Sequence, residues 1–345
     1  MTHDFLSRIE NIINRDSQAD DSEVEFQLKQ LLYERDLQKY AGKDALSILD
    51  LVTENLRQLD DEHRQAPVIK TGFNDFDTKF GGFRSGEFIV VGGRPAMGKT
   101  QFLINLSLSI STVTPVLYVT LDLSEFLLTS RFLSTVSGIP VNNILQNDVS
   151  ALLKNQLHAT GEAFARRQLF IHYCDNTSIA ALKASCQKQI KEKNIQVVIV
   201  DYLQLLSSSN HRKNRELEVS YISRELKNMA KDHNVCVIAS SQLSRALESR
   251  YEKRPMLSDL RDSGAIEQDA DKVLFIHRPD YYDVTEDDVG NDLVCVVEIM
   301  VAKNRNGPLG TVTLNRDRNF TAFYDLKKEF TFSPVRMKEI EDAPF

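Results

Sequence analysis

Residues 93–100 read Gly-Arg-Pro-Ala-Met-Gly-Lys-Thr, the spacing G-x-x-x-x-G-K-[ST]. Their chemistry is that of a phosphate cradle. Gly93 and Gly98 let the loop turn its backbone N–H groups toward phosphate oxygens, with Arg94, Pro95, Ala96 and Met97 forming the curve. Lys99 reaches the β- and γ-phosphates, and the Thr100 hydroxyl binds Mg²⁺. A chance match in a chain this long has odds of about one per cent, given average glycine use of about 7%. Such a loop needs a carboxylate to hold the metal's water shell. Four apolar residues, Val197 to Val200, run directly into Asp201, which supplies it. ATP and Mg²⁺ are the expected ligands, with Thr100 and Asp201 facing the metal.

Positioning these groups takes a sheet whose strands end side by side. Candidate strands are Phe88–Val91, Val116–Thr120, Leu169–Tyr173, Val197–Val200, Val235–Ala239, Val273–Ile276 and Val294–Ala302. Helical patterns lie between several of them, at Thr100–Ile110, Ile179–Glu192 and Leu217–Asp232. Strand and helix in alternation predict a mainly parallel, twisted α/β sheet covered on both faces. Ligands then sit at the C-terminal edge of the strands. Thr311–Asn315 and Thr321–Tyr324, joined by a polar turn, predict a C-terminal antiparallel hairpin. The strand Val116–Thr120 is expected beside the phosphate-loop strand. Asp122 would then face the γ-phosphate, with Glu125 following in a turn.

The net charge of −7 is lodged entirely in residues 1–65, which hold 15 Asp and Glu against 8 Lys and Arg. The other 280 residues hold 34 of each, so overall charge does not advertise a nucleic-acid binder. The four cysteines are scattered without a Cys-x-x-Cys pair, against a disulfide framework or zinc knuckle. No apolar run is long enough for a membrane span, and the start carries no apolar signal segment, so a cytoplasmic protein is expected. Residues 1–65 read as an acidic helical arm. Between Ala45 and Leu59 it carries a stripe of Leu46, Leu49, Val52, Leu56 and Leu59, which fits either its own core or a neighbouring subunit. Residues 66–345 read as one catalytic domain.

Six segments in order resemble the C-terminal ATPase domain of the DnaB-type bacterial replicative helicases. They are T-G-F-N-D-F-D (71–77), G-G-R-P-A-M-G-K-T (92–100), V-D-Y-L-Q-L-L (200–206), S-S-Q-L-S-R (240–245), L-R-D-S-G-A-I-E-Q-D-A-D (260–271) and A-K-N-R-N-G-P-L-G (302–310). General P-loop proteins share only the second segment and the aspartate of the third. The resemblance implies a RecA-like fold, a homo-oligomeric and usually hexameric ring, and ATP-driven movement along single-stranded DNA. Loader or replisome proteins would be further partners. It assigns Gln242 to sensing the γ-phosphate. Lys303 and Arg305 would reach the γ-phosphate of the adjoining subunit, a role that suits a forked, permanently charged guanidinium. Arg261, Asp262 and Gly264 would line the channel and hold the DNA backbone, with Asp262 where the family usually has Glu.

A second candidate DNA loop is Ser207–Arg215, with Arg212, Lys213 and Arg215. Neither loop holds an aromatic residue, so backbone contact with little sequence preference and strong salt dependence is expected. Two departures from the family stand out. The short arm takes the place of the family's larger globular collar domain. Asp122 stands where the family has the Glu that polarises the attacking water, which predicts slow turnover. The competing function is a RecA-like ATPase that remodels a replication protein without unwinding DNA.

Overall fold

The computed structural model describes residues 68–326 except 165, 209–213, 261–263 and 288, together with isolated positions before residue 58. The chain divides into two units, Met1–Gln65 and Ala66–Phe345. In the first, positions 48, 49, 52, 53, 56 and 57 are helical. Leu49, Val52 and Leu56 of the apolar stripe are 70%, 44% and 56% exposed, so at these positions the stripe does not lie on a core of its own. Leu46 and Leu59 lie outside the described residues.

The second unit begins with α1 (Asn74–Phe80), β1 (Phe88–Gly93), α2 (Lys99–Ile110), β2 (Val116–Thr120) and α3 (Glu125–Ser137). It continues with α4 (Val141–Leu145), α5 (Ala151–Phe164), β3 (Leu169–Tyr173), α6 (Ile179–Lys193) and β4 (Val197–Asp201). Next come α7 (Arg215–His233), β5 (Cys236–Gln242), α8 (Gly264–Asp269) and β6 (Lys272–His277). The last strands are β7 (Val296–Asn304), β8 (Gly310–Arg316) and β9 (Phe323–Asp325). No described helix is long and apolar enough to cross a membrane.

The strands form one sheet in the order β3-β2-β4-β5-β1-β6-β7-β8-β9. From β3 to β6 all pairs are parallel, and β7, β8 and β9 continue antiparallel. β1, β2 and β4 are buried at every position, because helices cover both faces and no alternation with solvent is required. Alternate side chains feed two cores. Ile89, Tyr118, Ile199 and Ile238 meet Phe102 and Leu106 of α2 and Phe132 of α3. Val90, Val119, Val200 and Val237 meet Leu182 of α6 and Ile222, Leu226 and Met229 of α7.

The expected neighbour relation of β2 is overturned. β4 and β5 lie between it and β1. Thr120 pairs instead with Asp201 at the end of β4. Central parallel strands are all continuous apolar runs, so nothing local in β2 distinguishes one long-range partner from another.

The segment 71–77 is structural. Asp77 accepts from the Thr71 amide at 2.9 Å, the Thr71 hydroxyl at 2.8 Å and the Gly72 amide at 3.2 Å. This fixes the entry to α1 and sets Phe73 in a stack with Phe102 of α2, ring centroids 5.6 Å apart. The helix that opens on the phosphate loop is thereby packed against the entry to α1 within the same core as the strands.

Candidate functional site

The phosphate loop joins the end of β1 to the start of α2. Gly98 has φ +96°, and a Cβ built there would lie 2.5 Å from the Phe320 ring, so both backbone and space demand glycine. Lys99 Nζ donates to the Gly93 carbonyl at 2.8 Å and the Arg94 carbonyl at 3.0 Å. Burial draws the Lys99 ammonium down to about 8, with Asp201 opposing the shift and Arg94 adding to it. Arg94 is buried, pairs with Glu248 at 2.8 Å and donates to the Leu243 carbonyl at 2.8 Å. Met97 is buried, Pro95 and Ala96 are exposed, and Thr100 is the second residue of α2, partly buried.

Asp201 ends β4 and is 5% exposed. One carboxylate oxygen accepts from Ser240 Oγ at 2.5 Å and the other from the Tyr118 hydroxyl at 3.1 Å. Asp201 and Thr100 offer oxygen donors, a hard set that fits Mg²⁺ shared with phosphates. Gln242 ends β5, pairs with Gly93 in the parallel register and is exposed. Its backbone is gripped by the Gln204 side chain, which accepts from the Gln242 amide at 3.1 Å and donates to its carbonyl at 3.2 Å.

Asp122 is exposed in the loop after β2, beside β4 rather than β1. The Leu121 amide donates to the Asp201 carbonyl at 3.0 Å. Burial pushes the Tyr202 hydroxyl above its usual range, and the charge of Asp122 adds to that. Glu125 is not in a turn but opens α3, which Ser124 caps by accepting from the Leu127 amide at 3.3 Å. Asp122 is therefore not the cap of that helix.

Lys303 and Arg305 stand at the opposite edge of the sheet. β7 runs antiparallel to β6, so Asn304 pairs with Lys272, and Lys272 pairs with Ile89 near the start of β1. Four residues of strand then separate that level from Gly93, about 13 Å. Lys303 donates to the carbonyls of Glu267 and Gln268. Arg305 donates to the Gln268 carbonyl and pairs with Asp271 at 3.2 Å.

Arg212, Lys213, Arg261 and Asp262 lie outside the described residues. Arg215 is the first residue of α7, pairs with Glu218 at 2.5 Å and donates to the Gln204 carbonyl at 2.6 Å. These contacts brace the strand exit and leave the Arg215 side chain 44% exposed. Gly264 opens α8, and a Cβ there would meet nothing within 4 Å among the described residues.

Tyr118, Ser240 and Gln204 hold Asp201 and Gln242, a role that no spacing in the sequence reveals, although Gln204 and Ser240 stand within the segments 200–206 and 240–245. Phe320, an aromatic among the polar residues of the hairpin turn, is a further residue beside the loop. Phe320 lies 4.7 Å from the Arg278 guanidinium and 5.0 Å from that of Arg316, measured to the ring centroid. Arg278 also donates to the Ala96 carbonyl at 3.1 Å.

Residues 68–325 match the family described as DnaB-like helicase C terminal domain. The chain is 35% identical over 293 residues to the Replicative DNA helicase DnaC of Bacillus subtilis (strain 168), covering 84% of this chain and 63% of that one. The chain thus spans less than two thirds of that relative's length. A solved ATPase domain superposes with a TM-score of 0.74 at 31% identity, covering 82% of this chain and 100% of that one. "The Structure Of A DnaB-Like Replicative Helicase And Its Interactions With Primase" gives a TM-score of 0.76 at 28% identity, covering 94% and 76%.

Proposed function

The chain belongs to the DnaB-like helicase family through its C-terminal domain, and from that membership we propose that it hydrolyses ATP within a ring of like subunits to move along single-stranded DNA. The phosphate loop at the end of β1 would hold the triphosphate, with Lys99 exchanging its two loop carbonyls for phosphate oxygens. Mg²⁺, held through Thr100 and Asp201, would neutralise charge on those phosphates. Gln242 stands level with Gly93, so its amide is suited to registering the last phosphate. Phe320, next to the loop and held between Arg278 and Arg316, whose charges pair with Asp280, offers an aromatic ring that suits the nucleotide base. Asp122, beside Asp201, would orient the attacking water.

The observation that carries the reading is the separation of the site's parts. Lys303 and Arg305 stand at the sheet edge remote from the chain's own phosphate loop. Cations of this kind act on a developing phosphoryl charge only at contact distance, so they would serve the loop of the adjoining subunit. The exposed stripe of Leu49, Val52 and Leu56 on the arm supports subunit contact as well. The domain boundary near residue 65, the six-fold ring and DNA contact through Arg212, Lys213, Arg215, Arg261, Asp262 and Gly264 are parts of this proposal. Work on DNA suits a cytoplasmic location. Loader or replisome proteins are candidate partners, a primase among them by analogy with the solved relative.

The test is the ATPase rate with and without single-stranded DNA, paired with a mass measurement in ATP. Stimulated hydrolysis by a multimer is expected. A multimer whose hydrolysis ignores DNA would favour remodelling of a protein partner, and hydrolysis by a single chain would overturn the shared site.

A further inference from the structure

Tyr118 stands out inside β2, whose other residues are Val116, Leu117, Val119 and Thr120. Its ring is wholly buried and packs edge-on to Phe132, centroids 5.7 Å apart. A phenol hydroxyl buried this deeply costs free energy unless it is hydrogen-bonded. Phenylalanine would fill the same space without that demand, so the hydroxyl calls for an account.

The register supplies it. Tyr118 pairs with Ile199 and Thr120 with Asp201, so Tyr118 and Asp201 project to the same face, one alternation apart. The hydroxyl lies 3.1 Å from one oxygen of Asp201. From the other flanking strand, β5, wholly buried Ser240 reaches the second oxygen at 2.5 Å. Each oxygen of the carboxylate is thus pinned by a hydroxyl from a different side. A carboxylate has about four acceptor positions, so two remain. The Tyr118 hydroxyl is the donor in this pair and the carboxylate oxygen the acceptor.

We infer that Tyr118 is a positioning residue for Asp201, fixing the plane of its carboxylate so that the remaining acceptor positions meet the water shell of nucleotide-bound Mg²⁺. The inference rests on the ATP reading above. Removing the hydroxyl leaves a buried oxygen without its donor and frees the carboxylate to turn about its Cβ–Cγ bond. Groups that orient a metal's partners in this way typically affect metal affinity or activity by about 10- to 100-fold.

The experiment measures binding of a non-hydrolysable ATP analogue to the full chain in Mg²⁺ and in EDTA, for the parent and for Tyr118→Phe. The ratio of the two affinities is the metal-dependent gain. Tyr118→Phe should lower that gain about tenfold and leave affinity in EDTA unchanged, a pattern that loose packing alone would not give. Ser240→Ala, acting on the other oxygen, should move the gain in the same direction and serves as the second variant if Tyr118→Phe folds poorly. A gain equal to the parent's in the folded variants overturns the role of Tyr118. A parent that binds no nucleotide, or gains nothing from Mg²⁺, overturns the ATP reading instead.

Discussion

Lys99 carries its charge against the cost of burial, which draws it down to about 8 in the free protein. Phosphate needs the ammonium, so the protonated form is the binding form. Below that pH the charge is already present. Above it, binding must take up a proton, and the dissociation constant for ATP should rise toward about tenfold per pH unit. A titration between pH 7 and 9 measures this, and Lys99→Arg should flatten the profile because a guanidinium stays charged. A flat profile in the parent would remove Lys99 from the phosphate contact. Asp122 is the other residue to probe. It is shorter than glutamate by one carbon–carbon bond, about 1.5 Å. Misplacement of that size costs about 10²-fold in rate. Asp122→Glu should raise the hydrolysis rate, while Asp122→Asn should nearly abolish it with ATP binding intact. If Asp122→Asn keeps the parent's rate, the role passes to Glu125, exposed at the start of α3.

Elements position these residues, and some of that positioning was readable in advance. β2 and β3 were legible to the residue, since short apolar runs bounded by turns mark buried strands. That residues 93–100 join a strand to a helix and that Asp201 ends a strand was legible too, because the spacing is local. The sheet order was not. Asp122 was placed beside β1, but it adjoins β4, because the partner of a buried parallel strand is settled by contacts far along the chain. The bond from Tyr118 to Asp201 depends on that same register and could not be read before it. The Arg215 bond to the Gln204 carbonyl was not legible either, because that acceptor comes eleven residues earlier on another element. At this scale Gly98→Ala is the informative change. It places a Cβ against Phe320 and forces an L-residue to φ +96°. The backbone term alone costs about 1–2 kcal/mol, which a thermal melt should register as a lowered midpoint. Nucleotide affinity should fall with it, because the turn bearing Phe320 and the start of α2 must move apart. A variant that melts with the parent would show that loop and turn are not mutually fixed.

For the whole molecule the decisive arrangement is a phosphate loop on one sheet edge and Arg305 on the other. Arg305→Ala should bind ATP yet hydrolyse it about 10³-fold or more slowly, the scale of such fingers in other phosphoryl-transfer systems. Mixed with Lys99→Ala, it should regain activity, since about a quarter of interfaces at equal mixing would pair an intact loop with an intact finger. Co-assembled mixtures without recovery would count against action between subunits. The same arrangement has an arithmetical consequence. A subunit that gives with one edge and receives with the other makes head-to-tail contacts, and a finite set of these closes only as a ring. A closed ring of n chains completes n sites, whereas the same chains in an open arc complete n − 1. In the ring proposed above, a gap wide enough to admit a strand of DNA would silence one site for as long as it stayed open, and closure around the strand would restore it.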